Sequence, residues 1–231
     1  VIAVYSAASV CSPADVEKMV HACATQVERD FAPAWSRLPS TPRFFSDKSQ
    51  IPAGTPTILV ADVCDDPEAL AYHTEGTDGA ISGLVGAKTI LDDGGTLFTG
   101  SVSVSGALSH EILETHVDPF VDSWVQMPDG QHLVAFEVCD PVQDRYYSIG
   151  DVAVSSFVYP RYFDERATAP TQLDATLALS APFTRTPGGY FVVMRGGKVT
   201  QVGAERPRWK SKAPLARTMR RAARVAVLEV A

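Results

Sequence analysis

The segment SHEILETHVDP, residues 109–119, carries ionisable side chains at spacings that chemistry can use. On an α-helix, at about 100° per residue, His110 and Glu114 lie about 40° apart, with Asp118 and Glu111 at about 80° and 100° on the same side. An imidazole and a carboxylate one turn apart can both reach one divalent ion, and an acid directly after the first ligand can take a proton from water polarised by that ion. HExxE therefore keeps the three roles of HExxH: two ligands, His110 and Glu114, and a general base, Glu111. A third protein ligand is expected from AFEVCDP, where Glu137 follows Glu114 at a suitable interval and Asp140 can orient His110 from outside the coordination sphere. Asp118, two turns beyond His110, and Asp140 itself are the alternatives for the third ligand. One histidine and two carboxylates make an oxygen-rich set, so Ca2+ and Mn2+ stand beside Zn2+ as the ion. The plain alternative is a solvated acidic helix face on which His110 caps or pairs locally.

The helix needs a partner surface. Leu108, Ile112, Leu113 and Val117, with His116, form the arc expected to pack on the domain. The helical pattern spans Val104 to His116, and Asp118-Pro119 closes it because the residue before proline is steered out of the α region. Upstream, IAVYSAAS reads as a strand. Ser12 as N-cap and Pro13 in the first turn open a helix with Val16, Met19, Val20, Cys23 and Val27 at helical spacing. A Pro-rich connection follows, with a short strand expected at Phe44 and Phe45, and TILVADV reads as a buried central strand. The Gly-rich stretch 71–95 is expected to hold one edge strand, around Leu84 to Leu91, where an extended peptide could add by backbone pairing beside the helix. HLVAFEV, YYSIGDVAVSSFV and YFVVMRGGKVTQVG read as strands, the last two turning at Gly150 and at Gly196-Gly197. The fold class is α+β: a mixed sheet with a metal-site helix, then a β-rich second half.

Other residues have blander readings. His73, near Glu75, reads as a turn-side histidine satisfied by backbone, His116 as a packed histidine, and Cys139 as a buried small thiol. Tyr146, Tyr147, Tyr159, Arg161 and Tyr162 include possible oxyanion donors but as a group read as sheet surface and core aromatics.

The 231 residues, 45% hydrophobic and 20% charged, describe a globular chain of one domain or one domain with an appendage. No apolar run approaches the roughly 20 residues of a membrane helix, and the opening segment lacks the positive start of a signal peptide. Cys11, Cys23, Cys64 and Cys139 form no CxxC pair, a reduced-compartment pattern that gives no support to a cysteine zinc site. The net charge of −7 hides an asymmetry: residues 195–224 hold ten of the twenty Lys and Arg against one acid, Glu205. The expected division is a domain over 1–195 and a basic arm over 196–231. The arm has a single aromatic, Trp209, which speaks against nucleic acid and for docking on an acidic body, its own or another subunit's.

The blocks AYHTEG, ALSHEILETHVDPF, VAFEVCDPVQ, YSIGDVAVSSFVYPRYF and APFTRTPGGY, in that order over roughly residues 1–195, resemble an uncharacterised family of bacterial and phage proteins with an HExxE helix, described as zincin-like. The resemblance implies a metallopeptidase-type scaffold with His110 and Glu114 as ligands and Glu111 as base. It leaves the third ligand open, and Glu137 remains the choice from the residues. Glutamate in place of the second histidine lowers the net charge of the site and makes the ion a weaker Lewis acid. Two functions follow as expectations. One is a phage virion structural or assembly protein, partnered by other virion proteins or by itself through the basic arm, and located in the virion if phage-encoded and otherwise in the cytoplasm. The other is a metal-dependent peptidase with a peptide substrate; phage membership favours the first and an intact Glu111 the second.

Overall fold

The computed structural model describes residues 1–36, 40–65, 69–76, 78–168 and 171–203. The chain opens with β1 (Ile2–Ser6), whose first three residues are buried, and enters α1 (Pro13–Gln26) through a capping box. There the Ser12 hydroxyl accepts the Asp15 N–H at 3.1 Å, while the Asp15 carboxylate accepts the Ser12 N–H at 2.8 Å. The helix runs on through a π turn (Val27–Phe31) into α2 (Ala32–Ala34), so the expected helix is present with one wide turn near its end.

Next come β2 (Pro42–Phe44), β3 (Thr57–Ala61), β4 (Ala71–Glu75), β5 (Ile81–Gly86) and α3 (Ala87–Asp92). The strands so far form one sheet in the order β2-β1-β3-β5-β4, parallel except for β4, which runs antiparallel to β5 at the edge. This corrects the sequence reading of an edge strand at Leu84 to Leu91. The edge is β4, β5 is interior, and residues 87–92 turn helical to bury Ala87 and Ile90. Glycine in β5 serves close packing rather than backbone access. Gly83 lies opposite His73, and a Cβ there would come within 3.0 Å of the Tyr72 carbonyl oxygen and 3.1 Å of Ile58 Cγ1.

The central helix α4 (Val104–Val117) follows, capped by the Ser103 hydroxyl on Gly106 N–H. It packs against α1, α3, β4, β5 and, further along the chain, β9. After it come β6 (Trp124–Gln126), β7 (Leu133–Ala135), β8 (Tyr146–Ile149), β9 (Val152–Ser155), β10 (Tyr190–Arg195) and β11 (Lys198–Gly203). An antiparallel sheet in the order β11-β10-β7-β6 and the hairpin β8–β9 make the second half β-rich, and the whole is α+β. HLVAFEV is strand only at Leu133–Ala135; from Phe136 the chain leaves the ladder and turns under α4 through the 3-10 turn Asp140–Val142. Residues 196–203, placed in the arm by sequence, are the β10–β11 turn and β11 itself. The rest of the arm, 204–231, lies outside the described residues.

Candidate metal centre

Helix α4 is held at a fixed rotation by a buried polar bracket one residue before His110. The Ser109 hydroxyl donates to Gln26 Oε1 at 2.7 Å and accepts the Ser155 N–H at 2.9 Å, while Gln26 Nε2 donates to the Ser155 carbonyl at 2.8 Å. Ser109 and Gln26 are both fully buried, so each bond must be made, and together they join α1, α4 and β9. At the other end the Asp118 carboxylate accepts the N–H groups of Asp122 (3.0 Å) and Ser123 (3.1 Å), which folds the chain back after the helix.

The acidic face of α4 is not solvated. Glu111 is 3% exposed, Glu114 and Asp118 0%, and Glu137 and Asp140 3% each. The alternative of a solvated acidic surface therefore fails: β4 and the 136–141 turn cover the face that the helical period made polar. Burying this many carboxylates together is costly unless cations or protons share the cluster. Two imidazoles do share it. His110 Nε2 lies 3.1 Å from Glu114 Oε2 and 3.3 Å from Asp140 Oδ1, and His73 Nδ1 lies 3.0 Å from Glu111 Oε2. Burial opposes charge on His110, yet the Glu114 carboxylate and the hydrogen bonds to Asp140 and Glu114 outweigh it, and its pKa rises to about 10. Within the cluster only the His110 side chain, 12% exposed, reaches the surface.

His110 and Glu114 thus meet as their spacing predicts. Asp140 also meets His110, but on the same nitrogen as Glu114, so it stands with the ligand set rather than behind it. Among the described residues, two groups of three bring ligand atoms within 4.8 Å of one another: His110, Glu114 and Cys139, and His73, Glu111 and Glu114. Glu137, the expected third ligand, Asp118, whose carboxylate closes the helix, and Asp140 all fall in neither; Asp140 enters through its 3.3 Å approach to His110. Cys139 and His73 are the residues that sequence reasoning passed over. Cys139 is buried as expected, its thiol pKa pushed well up by burial, and its N–H donates to Glu114 Oε1 at 3.2 Å. His73 is on strand β4, not a turn, and besides the Asp118 backbone carbonyl it meets a buried side chain, the Glu111 carboxylate. The strand alternation of AYHTE, with histidine at its centre, was the available signal.

The tyrosines stand elsewhere. Tyr162 is buried and donates to the Thr184 carbonyl, Tyr147 donates to Asp30 at 2.8 Å, and Tyr146 is exposed. His116 sits between the carbonyls of Ile112 and Ser40 and edge-on to Phe31. All four cysteines are buried and outside disulfides. No helix among the described residues is long and apolar enough to cross a membrane.

The chain matches no family model, no curated protein and no solved structure. The residues themselves therefore carry the functional argument. Imidazole nitrogen and carboxylate oxygens converging at His110 Nε2, with a thiol in reach, are a donor set that suits a divalent first-row metal, zinc included.

Proposed function

We propose that the protein is a divalent-metal-dependent hydrolase of zincin-like build that acts on peptide bonds. The observation that carries this reading is the convergence of Glu114 and Asp140 on His110 Nε2, with Glu111 on the next residue of the same helix. His110, Glu114 and Asp140 would hold the ion, which supplies Lewis acidity at the substrate carbonyl. Glu111 accepts the proton of the attacking water. His73 holds that carboxylate by one oxygen, at 3.0 Å, so the base is oriented before substrate arrives. Burial of the cluster keeps bulk water from the reacting groups and strengthens each electrostatic contact.

Enclosure also favours a second reading, in which the ion is structural and locks α4 to the 136–141 turn; the sequence resemblance alone would make such a protein a phage virion component. A Glu111 that is 3% exposed is poorly placed to meet a long substrate without movement of its cover. The experiment that separates the readings has two parts. Elemental analysis of purified protein should find a divalent metal retained by wild type and lost in His110→Ala. A metal-loaded chain should then cleave members of a broad peptide panel, and Glu111→Gln should not. Metal-free protein after growth in zinc overturns both readings; loaded protein with no cleavage on any peptide leaves the structural one.

A further inference from the structure

The second group of donors, His73, Glu111 and Glu114, has only Glu114 in common with the HExxE ligand pair and joins the sheet edge to the central helix. We infer that it is a second divalent-cation site, sharing Glu114 with the first and using Glu111 as a ligand. The inference builds on the His110 reading only through that shared carboxylate.

Geometry at His73 is the first argument. Its Nε2 lies 3.0 Å from the Asp118 backbone carbonyl, which can only accept, so Nε2 carries the hydrogen. In the neutral ring Nδ1 then presents a lone pair, and what it faces at 3.0 Å is a carboxylate oxygen of Glu111. Two lone pairs turned toward each other need positive charge between them. A proton can provide it, and so can a metal ion. An imidazole tied by one nitrogen to a backbone carbonyl, with the other aimed at carboxylates, has the orientation and outer support that metal-ligating histidines show.

Placement is the second argument. His73 is 1% exposed, Glu111 3% and Glu114 0%, and one ligand atom from each lies within 4.8 Å of the others. The three side chains project from β4 and α4, which pack directly on each other, so the donors are set by regular structure rather than by loops. One nitrogen and two carboxylates suit Zn2+, Co2+ or Mn2+. A carboxylate shared by two donor sets is the usual bridge of two-metal centres.

Filling this site has a consequence for the hydrolase. A Glu111 carboxylate that holds an ion cannot also take a proton from water, so the second ion removes the base. The one-ion chain is then the active form and excess metal shuts it down.

Titrating the full-length chain with Co2+, followed by calorimetry and visible absorption, tests the inference. Wild type should saturate at two ions per chain, His73→Ala at one, and His110→Ala at one. Wild type saturating at a single ion that His73→Ala retains overturns the second site and leaves the first. An ion lost in His73→Ala but kept in His110→Ala, with no other bound, upholds the second site and overturns the His110 one. No bound ion overturns both. If His73→Ala does not fold, Mn2+ resonance spectra of wild type decide: an exchange-coupled pair supports a shared Glu114, and spectra of isolated ions at saturation overturn it.

Discussion

At the scale of single residues, the centre turns on which carboxylates meet the imidazole of His110. Asp140 reaches the same nitrogen as Glu114, at 3.3 Å and 3.1 Å. Asp140→Asn should therefore weaken metal binding by more than the about 10- to 100-fold that follows loss of a merely supporting carboxylate, and Glu137→Gln should weaken it less. Calorimetric titration of both variants checks the order, and the reverse order would return Glu137 to the ligand set. Glu111 has a different task. Glu111→Gln should keep the His110 ion but lower peptide turnover by at least about 100-fold, as loss of a general base does. Equal turnover of wild type and variant at equal metal content would remove Glu111 from the chemistry.

At the scale of elements, the centre exists because β4 and α4 are pressed together. Gly83 on β5 permits this by leaving room beside Ile58 and under the β4 backbone at Tyr72. Gly83→Val must push β4 outward, since the added Cβ alone would sit 3.0 Å from a backbone oxygen that cannot yield by rotating. Overpacking of this kind costs about 1–3 kcal/mol. We expect that loss in a denaturant titration, with weaker retention of the ion that His73 contacts. Unchanged stability and metal content would show that β4 is not held by this contact.

At the scale of the molecule, an ion that binds only the folded chain stabilises it by mass action. With free metal at about 100 times its dissociation constant the gain is about 2.7 kcal/mol, which for a domain of this size raises the melting temperature by roughly 5–10 °C. A thermal scan with and without a chelator measures it, and coincident curves would rule out tight binding to the folded form. The charge asymmetry yields a separate expectation. Residues 195–224 carry ten basic groups against one acid, and attraction to an acidic surface acts over about 8 Å at physiological salt. Deleting residues 204–231 should leave the metal centre intact, because β11 ends at Gly203, but should abolish any salt-sensitive self-association seen by sedimentation. Identical sedimentation of both chains at low and high salt would dismiss the arm.

Local rules were enough for the elements whose signals are short-range. Ser12, Pro13 and the apolar spacing from Val16 to Val27 specify α1, and the periodicity from Val104 with the Asp118-Pro119 stop specifies α4, because capping, proline sterics and helical period act within a few residues. The meeting of His110 and Glu114 is local for the same reason. What spacing does not encode is what covers the polar face of α4. The same four ionisable residues suit a solvated surface or a buried centre, and the packing of β4 and the 136–141 turn makes it buried. That packing brings His73, 38 residues before Glu111, onto the Glu111 carboxylate, and sets Asp140 3.3 Å from His110. The order β3-β5-β4 likewise depends on pairing between distant segments, so Gly-rich β5 became an interior strand and β4 the edge. Sequence determined the helices and the meeting of His110 with Glu114 because their geometry is set within one helical turn; the tertiary structure alone decided which other ionisable groups join them and how deeply all are buried, because that depends on which distant backbone comes to rest against that turn.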